Sequence, residues 1–295
     1  MSHGGAAFGW VQILRLGVVL ACLGAVVVTT TSMLNRVMVA GLALPALLPG
    51  ALVALHYRVQ MLRPRLGRGG DVTARRTPWI VGGLAVLASG GFLAALATAW
   101  MGSSPVAGMV LAVAAFLLIG LGVGAAGTSL LVLLARRVEA GRRAAATTVW
   151  LMMIAGFAVT AVVSGTLLDP YTPARLLQVC GGVCALALVL SLLSLLAVWS
   201  VENAQAPATA AEPDAPRPDF RAALAQVWAD SNTRLFTIFV FVFEGLLFLV
   251  AAAMAWRVAV LASASASASS LSTTAEAAIL RRGHLTPAND FGAAT

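Results

Sequence analysis

Charge is what this chain has least of. Only 10% of its 295 residues are Asp, Glu, Lys or Arg, while 60% are apolar and the mean hydropathy is +0.93. A soluble domain carries roughly 25% charged residues. No water-soluble core could hide this much apolar surface, so lipid must be the solvent for most of it. A soluble enzyme, a disordered tail protein and a disulfide-stapled secreted domain are excluded together. Lysine is absent: all 19 basic residues are arginine, and the formal net charge is +8. We read that bias as composition rather than mechanism. Cysteine is scarce too, and Cys22, Cys180 and Cys184 each sit in an apolar stretch, so no disulfide framework is implied. Catalytic constellations are also missing. There is no nucleophile–His–acid set, no carboxylate pair and no complete metal site. Gly120, Gly122 and Gly124 lie inside a membrane helix, where they cannot act as a dinucleotide fingerprint. The chain is not expected to be an enzyme.

What the sequence has in quantity is uncharged runs. Residues 77–135 contain no charged side chain and are interrupted only by Gly102, Ser103, Ser104 and Pro105. At about 20 residues per crossing that is two helices and a turn. The same reading predicts about seven spans, at 12–34, 43–62, 78–101, 106–134, 146–168, 176–200 and 235–256. The second is the weakest, because Pro45, Pro49, His56, Arg58 and Gln60 interrupt it. Arg63, Arg65, Arg68, Arg75 and Arg76 follow span two, and Arg136, Arg137, Arg142 and Arg143 follow span four. The opposite loops hold Arg36 and Arg175. By the positive-inside rule the N-terminus is cytoplasmic, and the arginines are topology signals rather than a nucleic-acid surface. No cleavable leader is expected, since Arg15 lies inside the first apolar stretch.

These signals divide the chain into a six-helix transmembrane domain (1–201), a cytoplasmic linker (202–233), a seventh span (234–257) and a tail (258–295). Pro207, Pro213, Pro216 and Pro218 mark the linker as flexible. Phe220, Leu224, Val227 and Trp228 then fall at helical spacing, predicting a short amphipathic helix at the interface. The Ala-Ser alternation over 262–269 predicts a disordered tail. The architecture is therefore all-α: a polytopic membrane bundle laid out like a major-facilitator N-terminal half, of three plus three helices in inverted repeats, with one further span. A generic six-helix bundle has the same hydropathy.

Ionisable groups at membrane depth are expensive and default to functional candidates. Arg58 stands five residues from Arg63, close enough to snorkel to the interface. Glu244, in mid-span, must pair (Arg15 and Arg58 are candidates), be protonated, or face a cavity. His56 either hydrogen-bonds between helices or offers its neutral ring nitrogen as a ligand. Cys180 and Cys184 share a helix face beside Gly181 and Gly182, and Gly120, Gly124 and Thr128 follow small-residue spacing. Both patterns read as packing.

Met33, Leu34, Asn35, Arg36, Val37, Met38 and Val39 close the first span in a run that resembles a signature of the PucC/LhaA family. Arg63 through Gly67 to Asp71, then Arg75, Arg76, Thr77, Pro78, Trp79 and Ile80, resemble that family's next loop without gaps. Gly165 to Asp169, with Pro173, Ala174 and Arg175, resemble its turn between helices five and six. Trp228 to Asp230 and 234–242 resemble its approach to helix seven. The likeness covers about residues 10–242. It implies a major-facilitator-like protein of the photosynthetic inner membrane of a bacterium, assisting assembly of light-harvesting complexes. Its implied ligands are (bacterio)chlorophyll or another tetrapyrrole, its implied partners nascent antenna polypeptides. In the same fold an Arg/Asp network between helices, here Arg63, Asp71, Arg75 and Arg76, latches one conformation. Two departures stand out. Helix four carries Gly124, Gly127 and Arg136 where the family has His, Gln and Asp, and residues 243–249 resemble the family's last helix. The alternatives are a transporter of amphipathic small molecules, which needs a second half or a homo-oligomer, and a non-catalytic structural subunit.

Overall fold

The computed structural model describes residues 8–63, 76–138 and 144–204, together with 225, 228–239, 241–242, 246, 257 and 260. The described residues are helical apart from turns. An apolar chain in lipid has little choice, because a helix satisfies its backbone donors and acceptors internally. The helices are α1 (Trp10–Gly41), α2 (Leu47–Gln60), α3 (Thr77–Met101), α4 (Pro105–Arg137), α5 (Ala144–Leu167) and α6 (Pro173–Ala204). Proline marks three starts. Pro78, Pro105 and Pro173 sit in first turns, where a missing N–H breaks no helical bond.

Five of these helices, all but α2, are long and apolar enough to cross a bilayer. The chain is an all-α polytopic membrane bundle. The expected span at 43–62 is corrected: its helix is 14 residues long, about 21 Å against ~30 Å of hydrocarbon. The cause is local. Ala43 turns into the left-handed region at φ 51°, which stops α1, and Pro45 delays the restart to Leu47. At the other extreme, α1 outruns its expected end. Thr29, Thr30 and Thr31 donate their hydroxyls to the carbonyls of Ala25, Val26 and Val27 at 2.8, 3.0 and 2.8 Å. Such back-bonding loosens the ladder. Beyond it the helix widens, so that the Leu34 and Leu42 amides bond the carbonyls of Thr29 and Val37, five residues back.

The tightest pairing is the α3–α4 hairpin, where backbones meet through glycine. A Cβ at Gly83 would lie 2.5 Å from the Ala126 nitrogen, and one at Gly122 2.6 Å from the Leu87 nitrogen. Elsewhere α1 packs on α5 and α6, α3 on α6, and α2 on α4. These main pairings survive the exchange of α1, α2 and α3 with α4, α5 and α6: α1–α5 becomes α4–α2, α3–α4 becomes α6–α1, and α3–α6 maps onto itself. The exchange relates partners, not depth of burial. The buried residues of α5 are Ala145, Val149 and Ser164, so most of that helix faces outward.

Neighbouring residues identify the two ends of this bundle. At one, the Phe8 amide donates to the Arg137 carbonyl at 2.9 Å and the Arg137 guanidinium lies 6.0 Å from the Phe8 ring centroid. At the other, a Cβ at Gly41 would lie 3.7 Å from Tyr171, and one at Gly102 3.8 Å from Leu42. Antiparallel tracing sends Arg63, Arg76 and Arg136 to the first end, and Arg36 and Arg175 to the second. Trp79 and Trp100 sit near opposite ends of α3. Their 21-residue separation is about 31 Å of rise, the thickness of the hydrocarbon layer.

The chain divides into two compact units, Met1–Pro213 and Asp214–Thr295. In the first, α6 runs on to Ala204, three residues into the stretch read as linker. In the second, Asp230 caps the helical residues 231–239. The Thr233 hydroxyl, with the Asn232 and Thr233 amides, hydrogen-bonds its carboxylate and holds it below the usual carboxyl range. Most of the interfacial helix expected over 220–228, most of the seventh span with Glu244, and the Ala-Ser tail lie outside the described residues.

Candidate functional site

The polar residues singled out in the sequence do not converge. His56 is fully buried on α2, with its Nε2 2.6 Å from the amide nitrogen of Gln60. Gln60 donates there, which engages the lone pair a pigment magnesium would need. The expected hydrogen bond between helices is thus a bond along one helix, and Gln60 turns its oxygen to the Arg63 guanidinium. Gly120 of α4 makes room for this turn, since a Cβ there would lie 2.8 Å from the His56 carbonyl oxygen. Arg58 is exposed, as snorkelling requires. Arg76 is buried at the head of α3, while Asp71 and Arg75, the other members of the expected latch, lie outside the described residues. Cys180 and Cys184 are buried, the latter's Sγ 2.9 Å from a Cβ position at Gly91 of α3. That is packing. Among the described residues no three His, Cys, Asp or Glu side chains gather as a metal site needs.

At the second end, Arg175 organises the α5–α6 turn. Its Nη1 donates to the carbonyls of Asp169 and Pro170 at 2.9 and 3.3 Å, and its amide donates to the Thr172 hydroxyl at 3.1 Å. The Asp169 carboxylate itself is exposed. Thr172 is therefore the N-cap of α6, ahead of Pro173. Thr172→Ala should cost about 1 kcal/mol, read as a lowered melting temperature in detergent with ligand binding unchanged.

A cavity opens elsewhere. Helices α5 and α6 both lie on α1 but touch one another sparsely, leaving a cleft of about 440 Å³ between them. Val18, Ala21, Cys22 and Ala25 of α1 form its floor, Met152, Ala155, Val159 and Val163 of α5 one wall, and Val183, Leu186 and Leu190 of α6 the other. No charged side chain lines it. Close approach of α1 and α5 rests on glycine: a Cβ at Gly156 would lie 3.0 Å from the Ala21 carbonyl oxygen, and one at Gly24 would collide with the Phe157 ring, whose Cδ1 would be 2.8 Å away. The rim residues Val159, Val163, Leu186 and Leu190 are exposed, so the cleft faces the lipid sideways.

Towards the second end the cleft turns polar. Thr160 and Ser164 line it and also line a smaller cavity of about 160 Å³ bounded by Thr29, Ser32 and Arg36 of the widened stretch of α1. Ser164 is buried, and its hydroxyl has no hydrogen-bond partner among the described residues. Sequence reasoning had singled out Arg36 but missed Thr160 and Ser164. The available signal was the run Gly156, Thr160, Ser164 at four-residue spacing, the pattern noticed on α4. A second apolar cleft of about 450 Å³ lies along α3 and α4, lined by residues such as Trp79, Val86, Leu118 and Leu121. In the exchange of triplets it corresponds to the first, except that no α2 residue lines it in the place of α5.

Residues 33–263 match the family model described as PUCC protein. Over 242 residues the chain is 50% identical to the "Bacteriochlorophyll synthase 44.5 kDa chain" of Rhodobacter capsulatus, a match covering 82% of this chain and 55% of that one. It is 31% identical over 238 residues to an uncharacterised protein of the puhA–bchM intergenic region of Rhodobacter capsulatus, covering 75% and 48% of the two chains. With protein PucC of the same organism it shares 33% identity over 205 residues, 65% and 44% of the two. The chain thus spans about half the length of these curated relatives. No solved structure matches it. The matched region opens on Met33, at the run containing Asn35 and Arg36, and takes in the α5 and α6 walls of the cleft but not its α1 floor. On that match and those identities, the chain belongs to the PUCC protein family.

Proposed function

We propose that this chain is a membrane assembly factor for photosynthetic light-harvesting complexes, working in the bacterial inner membrane with its N-terminus in the cytoplasm. It binds (bacterio)chlorophyll in the α1–α5–α6 cleft and delivers it to nascent antenna polypeptides, which dock on the outward apolar faces of α5 and α6. One observation carries this reading: a charge-free cleft opens sideways to lipid, where a pigment already dissolved in the membrane arrives without crossing water. The residues present fit such a guest. The walls are aliphatic, and the unpartnered Ser164 hydroxyl supplies an O–H donor for a pigment carbonyl or an oxygen for weak axial ligation of magnesium. The bound pigment itself supplies only light absorption and its metal. The lining offers hydroxyls and a thiol but no acid–base pair, which suits holding a macrocycle rather than transforming it. The names of the bacteriochlorophyll-related and PucC relatives point the same way.

A second reading has its own support. The exchange of α1–α3 with α4–α6 is the pattern of a major-facilitator half, and it favours a transporter of amphipathic small molecules. Alternating access then requires a second half or a homo-oligomer.

The test is purification of the full chain in mild detergent from a pigment-synthesising phototroph. Bacteriochlorophyll absorbance is expected to co-elute with the wild type. It should fall at least tenfold in Ala155→Trp, which fills the cleft from an exposed wall position. A pigment-free wild type overturns the proposal, and solute flux in proteoliposomes would favour the transporter.

A further inference from the structure

The cleft is not equally greasy along its length. From Val18 to Arg36 the floor of α1 covers about 27 Å of rise, and its lining passes from aliphatic to hydroxyl to guanidinium. Arg36 stands at the second end of the bundle, where the interface lies. Among the described residues it donates to no carboxylate, and the Asp169 carboxylate at the same end is exposed and unpaired with it. Ser164, nine-tenths buried and more, lines both cavities with its hydroxyl unpartnered. A buried donor without a partner costs stability, and an exposed guanidinium at the edge of a hydroxyl-lined cavity favours an anion. Together they describe a receptacle for a molecule with a long apolar body and one anionic head.

We infer that the cleft and the Arg36 cavity form one site for a carboxylate-bearing amphiphile, with the carboxylate accepting hydrogen bonds from Arg36 and Ser164. This rests on the reading that the cleft takes a tetrapyrrole and refines it: the preferred guest is the free acid, whose propionate is not esterified. Its macrocycle lies between α5 and α6, and its carboxylate points to the interface. The class of reaction that consumes such a guest is transfer of an alkyl group to that carboxylate from an activated alcohol, whose leaving group departs as the ester forms; losing the charge Arg36 holds weakens binding of the ester without abolishing it.

The experiment uses the full chain in detergent, titrated with bacteriochlorophyllide free acid or its methyl ester and followed by quenching of Trp fluorescence and by the pigment's absorption shift. The free acid is expected to bind the wild type at least tenfold more tightly than the ester. Arg36→Gln should abolish that preference while leaving ester affinity unchanged, and Ser164→Ala should reduce it in part. Ala155→Trp should abolish binding of both. Equal affinity for acid and ester, with both lost in Ala155→Trp, would overturn the carboxylate inference and leave the pigment reading standing. No binding of either would overturn both. Competition by phosphatidylglycerol but not phosphatidylcholine, lost in Arg36→Gln, would assign the cavity to a lipid headgroup and overturn the inference.

Discussion

Gly83→Ala should collapse the bundle's thermal stability while Gly82→Ala, one residue away, leaves it intact. The two glycines share a helix and a neighbourhood in sequence, and helix propensity favours alanine at each by up to about 1 kcal/mol. They differ in what a methyl group would meet. At Gly82 no heavy atom lies within 4 Å, whereas at Gly83 the new Cβ would sit 2.5 Å from the Ala126 nitrogen and 3.0 Å from its Cα. Those are backbone atoms, fixed by α4's own hydrogen bonds, so no rotamer change can relieve the clash. The helices must separate, at a cost of about 1–3 kcal/mol or more. In lipid the association of α3 with α4 has no hydrophobic drive, only close packing and dispersion, so separation forfeits most of what holds the hairpin together. Expected results are a melting temperature lowered by many degrees and a broadened size-exclusion peak for Gly83→Ala, with Gly82→Ala indistinguishable from wild type. Gly122→Ala should behave like Gly83→Ala, because its Cβ would lie 2.7 Å from the Gly83 carbonyl oxygen. The double variant should fall short of the sum of the two, since one helix displacement relieves both clashes. Equal stability of Gly82→Ala and Gly83→Ala would refute this account of the hairpin.

The crossing helices were legible because lipid leaves them no alternative. An uncharged run of sufficient length must be helical, and Pro78 and Pro105 stand within one residue of the expected starts, while Pro173 opens its helix three residues before the expected one. The weakness of the second span was legible too, in Pro45, His56 and Arg58, although its contraction to Leu47–Gln60 was not. That needed the left-handed turn at Ala43, which has no composition signal. The candidate site was harder to read. Sequence order flags a histidine or an arginine in an apolar run, and it flagged His56 and Arg36. It cannot show that His56 spends its lone pair on Gln60, four residues along, or that α5 and α6 diverge on α1 to leave a cleft. A cavity is a property of what fails to touch, and hydropathy records only what each residue prefers. Thr160 and Ser164 looked like ordinary small residues of a membrane helix until their placement beside Thr29 and Arg36 gave them a role.

Labelling of engineered cysteines should report the two ends of the bundle as opposite faces of the membrane. Ser103 lies in the exposed α3–α4 turn at the second end, and Met61, 81% exposed, follows α2 at the first. In spheroplasts a membrane-impermeant maleimide should modify Ser103→Cys within minutes and leave Met61→Cys untouched until the membrane is permeabilised. The native thiols make this clean, since Cys22, Cys180 and Cys184 are 7, 0 and 4% exposed, with Cys22 on the floor of the lipid-facing cleft. The direction follows from the arginines. Moving one through the membrane costs about 2.5–3.5 kcal/mol on the insertion scale, and the loops after α2 and α4 carry clusters where the opposite end carries only Arg36 and Arg175. Both substitutions leave every arginine in place, so the variants report the native orientation. The reverse pattern would put the N-terminus outside and move Arg36 to the cytoplasmic face. Modification of both positions in sealed spheroplasts would mean that α3 does not span the bilayer. The lipid-facing cleft between α5 and α6 would then open to water, where its aliphatic walls could not stay uncovered.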